Sequence, residues 1–326
     1  IGCCDWSSDV CSSDLEALYS NRSEAELTAS LEHIMTELAQ PATDEFSPLE
    51  LSSLNFQSHI EQAAFEKMVE EARSLIRQGD MFQCVLSQRF SAEYSGRPLD
   101  YYRNLRVTNP SNYLYFYDFG DYQIIGASPE SLVSVKQGQV TTNPIAGTRP
   151  RGKDEREDKA LAEELLADEK EVAEHRMLVD LGRNDIGKIA QNNSVEVTKY
   201  MEVEYFRYVM HLTSVVRGQL LPQLTAMDAL KSTLPAGTVS GAPKIRAMKR
   251  IYELEQEKRG VYAGAIGYLS ATGDMDFAIA IRTMILKNGR AYVQAGAGIV
   301  YDSIPTNEYQ ETINKAKSMT KIGEMQ

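Results

Sequence analysis

The chain has 326 residues, 43% hydrophobic and 25% charged, which is the make-up of one large globular domain or two small ones. No stretch approaches the roughly eighteen consecutive apolar residues of a membrane span. A net charge of −12 repels a phosphate backbone, so neither membrane nor nucleic acid is an expected partner.

The first eleven residues, IGCCDWSSDVC, hold three of the four cysteines and the only tryptophan. Their C-C-x6-C spacing fits no zinc pattern, and no basic region followed by an apolar core marks a secretory signal. Residues 1–15 resemble a translated cloning or sequencing adapter and are expected to be foreign to the fold. Residues 16–58 are expected to be a remnant of an N-terminal region with its linker. Leu27, Leu31, Ile34 and Leu38 recur there at helical spacing, and Pro41, Pro48 and several serines follow. The main domain is expected over 59–326. Cys84, a lone thiol in an apolar run, suits a reducing cytoplasm.

Phe65, Met68, Val69, Ala72, Leu75 and Ile76 form the stripe of a helix that stops at Gly79. From Met81 the period changes. Segments 81–94, 113–119 and 122–135 read as strands, rich in Val, Ile, Tyr and Phe. Residues 155–182 read as a helix with an acidic first half, and 194–203 and 205–217 as strands. A helix is expected over 243–258, with Pro243 near its first turn and Gly260 past its end. Strands follow at 262–270, 275–286 and 290–300, separated by Gly273-Asp274 and Asn288-Gly289. A last helix covers 306–323. Helices arrive between groups of strands, so the expected class is an α+β sandwich of two mostly antiparallel sheets with helices outside.

Two short stretches carry the sharpest chemistry. Glu171 and Glu174 stand three residues apart on one helix, and Glu308 and Glu311 repeat that spacing on the last one, with Lys315 following. Three residues apart puts each pair on one helix face. An isolated E-x-x-E is ordinarily a solvated surface pair. Here Glu171 and Glu174 lead into the apolar run Met177-Leu178-Val179, so their face heads inward. Facing carboxylates repel unless a cation sits between them, and Mg²⁺ takes carboxylate, water and ligand oxygens.

Three glycine-rich stretches fail the nucleotide tests: Ala146-Gly147-Thr148, Gly237 to Lys244, and Ala295-Gly296-Ala297-Gly298. The second is not a P-loop and the third is not a dinucleotide fingerprint. They read as backbone that approaches an anion closely.

These pieces, in this order, resemble the chorismate-utilising enzyme family. The matching runs are Gly126 to Glu130, Pro144 to Gly152, Glu171 to Asp185, Tyr208 to His211, Gly237 to Lys244, Gln294 to Gly298 and Glu308 to Lys315. The resemblance covers about residues 60–324. It implies chorismate as substrate and Mg²⁺ as cofactor, with Glu174 and Glu311 as metal ligands and Glu308 and Glu171 completing an acidic ring. It further implies that Arg282 and Tyr262 hold the enolpyruvyl carboxylate. Gly147, Thr148, Thr238 and the backbone of Gly296, Ala297 and Gly298 would contact substrate, and Lys315 would supply a nearby positive charge. Glu130 resembles the family's general acid, which protonates the departing C4 hydroxyl. His211 resembles a histidine tied to the elimination of pyruvate; a hydrogen-bonded core histidine is an equally good reading. Asn112, Tyr113 and Leu114 match one side of the family's tryptophan inhibitor site.

Within the family, water-using members place a lysine base where this chain has Gln83, and a neutral amide cannot deprotonate water. Aminodeoxychorismate synthases carry a nucleophilic lysine where Ala146 stands. Together the two positions point to the ammonia-using, anthranilate-forming branch. The alternatives are aminodeoxychorismate formation or a non-catalytic chorismate- or metal-binding fragment. That branch draws ammonia from a separate glutamine amidotransferase subunit (component II). Cys84 lacks the context of a glutaminase nucleophile, so such a partner is expected.

Overall fold

Runs of Val, Ile and Tyr that end in tight turns build two sheets, and a computed structural model describes them over residues 23–40, 54–206 and 209–320. Residues 1–22, with the cysteine cluster and the adapter-like segment, residues 41–53 of the expected linker 41–58, Arg207, Tyr208 and residues 321–326 lie outside the described residues; the end of that linker is a short strand. Helix α1 (Glu24–Ala39) belongs to a unit of its own, Ile1–Ser47. Glu26 accepts from the backbone N–H and the hydroxyl of Ser23, closing its first turn.

The second unit holds the remaining elements. Its first sheet contains β1 (Gln57–Ser58), β2 (Gln83–Glu93), β3 (Tyr113–Asp118), β4 (Tyr122–Ser128), β10 (Gly241–Ala242), β13 (Thr283–Lys287) and β14 (Arg290–Ile299). The strand order is β1-β2-β14-β13-β4-β3, with β10 beside the start of β2. The second sheet contains β5 (Ser131–Lys136), β6 (Gln139–Thr142), β7 (Ile145–Pro150), β8 (Glu196–Tyr205), β9 (Val209–Gln219), β11 (Ala265–Leu269) and β12 (Met275–Ile279). Its order is β11-β12-β5-β6-β9-β7, with β8 on the other side of β9. Every described ladder is antiparallel, as the expected sandwich requires.

Each sheet buries an apolar face under its own helices. Ile125, Met284 and Val293 of the first pack with Tyr101 and Leu105 of α3 (Pro98–Thr108) and Met319 of α9 (Pro305–Thr320). Further along, Cys84, Leu86 and Ile299 meet Phe65 and Val69 of α2 (Gln62–Arg77) and Ile251 of α8 (Lys244–Glu255). In the second sheet Val133, Val140 and Val216 lie under Val179 and Ile186 of α5 (Glu169–Gly187) and Leu230 of α6 (Ala226–Thr233). Tyrosines cross between the sheets: the Tyr113 hydroxyl donates to Asp276 at 3.0 Å and that of Tyr117 to the Gly267 carbonyl at 3.1 Å.

Several sequence expectations need correction. The runs 122–135 and 275–286 are each two strands, and each passes from one sheet to the other. The first switches at Pro129-Glu130 because proline cannot donate to a ladder. The second switches at Ala280-Ile281-Arg282, where Arg282 takes φ of +49°. The long helix over 155–182 is two helices, α4 (Glu155–Ala167) and α5. Asp168 ends the first and caps the second, accepting from the N–H groups of Lys170 and Glu171. Three helices have no counterpart in the sequence expectation: α3, α6 and the single turn α7 (Gly237–Ser240).

The two crossings lie side by side and bond to each other. Ile279 N–H donates to the Glu130 carbonyl at 3.0 Å, Ala127 N–H to that of Arg282 at 3.0 Å, and the fully buried Ser128 hydroxyl to that of Ile279 at 2.7 Å. Ser128→Ala should therefore cost about 1 kcal/mol in urea unfolding, the worth of one buried hydrogen bond. An unchanged midpoint would show that the corner does not lean on this bond.

Candidate active site

The double corner puts Glu130 and Arg282 at one end of the sheets, on the wall of a cavity of about 870 Å³. Helices α5 and α9 bring Glu171, Glu174, Glu308, Glu311 and Lys315 to the same cavity. Gln83, Ala146, Gly147, Thr148, His211, Thr238, Tyr262, Gly296 and Gly298 complete the expected set that lines it.

The four glutamates do not stand free. The Gln83 amide nitrogen donates to Glu174 at 3.1 Å, and Lys315 lies 2.6 Å from Glu311. Burial pushes the Glu171 carboxyl above its ordinary range, and the charge of Glu174 pushes the same way. Burial raises Glu308 too, with Glu311 adding to it and a hydrogen bond from Ser303 opposing. Each pair thus pays a repulsion that a cation would relieve. The donors are all carboxylate oxygens, which suits a hard ion. Among the described residues, no three of His, Cys, Asp and Glu stand close enough to cage one. Mg²⁺ does not need such a cage, since one or two carboxylates with waters and ligand oxygens suffice. The donor type therefore suits the ion that the sequence implied.

Glu130 is the most perturbed of the cavity's carboxyls. Burial lifts its pKa to about 7, against the pull of the Thr238 hydroxyl beside it and the charge of Lys315. A carboxyl poised near neutrality is suited to giving up a proton. Lys315 also donates to the Gly296 carbonyl at 3.1 Å, so its ammonium ties α9 to β14.

His211 lines the cavity, and its Nδ1 lies 3.1 Å from the Gly147 carbonyl and 3.0 Å from the Thr148 hydroxyl. A carbonyl can only accept, so Nδ1 carries the proton and Nε2 keeps its lone pair. Burial holds the ring's pKa below the usual value, so it is neutral at pH 7. It is both a bonded histidine and a cavity histidine.

Arg282 is anchored through Nη1, which donates to the Lys315 carbonyl and the Ser318 hydroxyl, both at 2.7 Å. Burial raises the Tyr262 phenol to about 12, so it is a donor at neutral pH. Two glycines make room here: a Cβ on Gly296 would stand 2.6 Å from the Tyr262 hydroxyl, and one on Gly298 2.6 Å from the Gln83 amide. The ladder between β13 and β14 ends at Met284–Val293. From Gln294 onward no described strand bonds that edge of β14, and Lys315 takes the Gly296 carbonyl there.

Three other expected residues, Ala297, Tyr113 and Leu114, are not among those that line the cavity. Ala297 is fully buried and packs with Cys84 and Leu86, because alternation along β14 turns it away from its glycine neighbours. Only its backbone is near the cavity. The inhibitor-site trio separates: Asn112 lines the cavity, Tyr113 reaches Asp276, and Leu114 packs into the core of the first sheet.

Sequence reasoning missed Lys170 and Arg149. Lys170 lines the cavity, and its charge lowers the pKa of both Glu171 and Glu308. Arg149 bonds Glu164 at 2.9 Å and Asp168 at 2.8 Å, fixing the start of the helix that carries Glu171. The run Thr-Arg-Pro-Arg, two guanidiniums beside an acidic helix, was the available signal.

The chain was compared with known proteins on this footing. A family model described as chorismate binding enzyme matches residues 9–321. Anthranilate synthase component 1 of Lactococcus lactis is 60% identical over 306 residues, covering 94% of this chain and 67% of the relative. The same-named protein of Aquifex aeolicus is 54% identical over 271 residues, covering 83% and 55%. The crystal structure of anthranilate synthase component I from Streptococcus pneumoniae TIGR4 is 78% identical with a TM-score of 0.87. That match covers 93% of this chain and 68% of that one. The chain thus spans between about half and two thirds of the length of these relatives. With the family match running through both sheets and through every wall of the cavity, the chain belongs to the chorismate-binding enzymes.

Proposed function

We propose that this chain converts chorismate and ammonia to anthranilate and pyruvate, as the names of its relatives suggest. The observation that carries the reading is one cavity holding a carboxyl poised near neutrality, Glu130, together with a neutral amide, Gln83. Glu130 gives its proton to the departing C4 hydroxyl, which leaves as water. Ammonia is already nucleophilic and needs no base, so an amide serves where a water-using enzyme needs a lysine. Gln83 Oε1 is buried and has no partner within the protein. Its nitrogen faces Glu174, so this oxygen is an open acceptor for an N–H donor. Ala146, on the same wall, offers no amine to form the covalent adduct of an aminodeoxychorismate enzyme.

Arg282 and Tyr262 hold the enolpyruvyl carboxylate, and His211 Nε2 is the free base nearest the later elimination of pyruvate. The backbone edge of β14 and the Gly147-Thr148 turn orient the ring. Glu174 and Glu311, with Glu308 and Glu171, would hold Mg²⁺, which would supply positive charge for the ring carboxylate. Ammonia comes from a glutamine amidotransferase partner, and the setting is the cytoplasm. No described helix is long and apolar enough to cross a membrane.

Chorismate with ammonium and Mg²⁺ should yield the fluorescence of anthranilate, and chelation should abolish it. Accumulation of aminodeoxychorismate or isochorismate would overturn the reading. The proton of Glu130 sets the pH dependence. Its folded pKa of about 7 lies above that of a free glutamate, so kcat/KM should fall as pH rises through about 7. Stability should follow the same sign: the contribution of neutral Glu130 is full in acid and is lost as pH rises through that value. Glu130→Gln should lower kcat by about 10²- to 10⁴-fold, the usual worth of general acid catalysis. It should also lose that pH-dependent part of its stability, as followed by thermal melting.

A further inference from the structure

Behind the cavity, between α8 and β11, lies a buried ion pair that the proposed chemistry does not use. Glu255 is the last residue of α8, and its side chain is 5% exposed; that of its partner Arg259 is 16% exposed. Arg259 Nε donates to one carboxylate oxygen at 2.8 Å and Nη2 to the other at 2.6 Å. The rest of the fork reaches out of the pair. Nη1 donates to the Val239 carbonyl at 2.7 Å, and Nη2 also donates to the Val85 carbonyl at 2.6 Å. The guanidinium carbon stands 5.5 Å from the centre of the Tyr262 ring, within cation–π range.

These contacts join parts of the cavity wall that are far apart in sequence. Val239 is the neighbour of Thr238, which sits beside Glu130. Val85 lies two residues from Gln83 on β2. Glu255 extends the network by accepting from the N–H and the hydroxyl of Ser87, at 2.7 Å and 2.9 Å. That hydroxyl in turn accepts from the amide of Gln294, another wall residue, at 2.8 Å. Arg259 itself lines a smaller hollow behind Tyr262, not the main cavity, so it acts through other residues.

We propose that Arg259 is a positioning residue that locks the Thr238 turn and Tyr262 to β2, so that the proton donor's neighbour and the carboxylate-binding phenol keep one fixed separation. Lysine cannot replace it. A single ammonium presents three donors from one point and cannot span two backbone carbonyls and both oxygens of Glu255. The kinetic arm of the test rests on the proposed function; the structural arm does not.

The test compares the parent chain with Arg259→Lys by amide hydrogen exchange and by steady-state kinetics. Residues 237–241 and 260–264 should lose protection together. The KM for chorismate should rise about 10- to 100-fold, the penalty of a small misplacement, while the KM for ammonium stays as in the parent. Loss of protection in only one segment, or in neither, would overturn the proposal. So would a fall in kcat with both KM values unchanged, the sign of a smaller folded fraction. If the parent makes no anthranilate, the function reading fails and the exchange result still decides this one. Should Arg259→Lys not fold, Glu255→Gln keeps an acceptor for the fork. It should give the same paired loss of protection at smaller amplitude, and an unpaired loss would count against the proposal.

Discussion

The hydrogen bonds between the two strand crossings are the constraint on which the rest of the site depends. Each crossing alone would be a loose bend between sheets. Joined through Glu130, Ile279, Ala127 and Arg282, they become a rigid corner built from four strands. Arg282 adopts left-handed backbone there, a conformation that costs about 1–3 kcal/mol for a residue with a side chain. Its guanidinium and its carbonyl are both bonded, which keeps it in place. The corner sets Glu130 deep enough for burial to dominate its titration, and it aims Arg282 at α9.

The electrostatics of the cavity follow from that placement. Five carboxyls share the wall with few cations, and the protein as a whole is acidic. Lys315 is therefore stretched over several tasks: it pairs with Glu311, bonds the Gly296 carbonyl and pulls on Glu130. Arg149 and Lys170 steady the start of α5 from outside and from within. Lys170, Arg282 and Lys315 are the cations on that wall, and the carboxyls outnumber them.

Much of the site was legible in the sequence because helical spacing is a reliable ruler. Glutamates three apart on α5 and α9 must share a face, and the apolar residues after Glu174 showed which way that face turns. Glycines beside strand patterns marked close approach, and Gly296 and Gly298 bear that out. The strand crossings were not legible. Both runs are continuously rich in β-formers, and which sheet a strand joins is decided by pairing with distant residues, not by local preference. Proline at 129 was a cue to an interruption but not to a change of sheet. The helix break at Asp168 has a local cause, since aspartate caps well, yet it lies inside an otherwise unbroken acidic pattern. The side chain of Ala297 turns into the core while its backbone stays beside the two glycines. The motif was read as a unit, while the strand alternates.

The glutamates of the cavity wall bear on how fast a ligand arrives. A dianion drifting toward an acidic surface meets repulsion before it meets any contact that binds it. Such repulsion acts over about 10 Å in 0.1 M salt and shortens as salt is added. Most electrostatically guided encounters slow in brine. Here the encounter of an anionic ring with the glutamate-lined cavity should instead speed up as salt is added, and a cation seated among the glutamates would reverse that dependence.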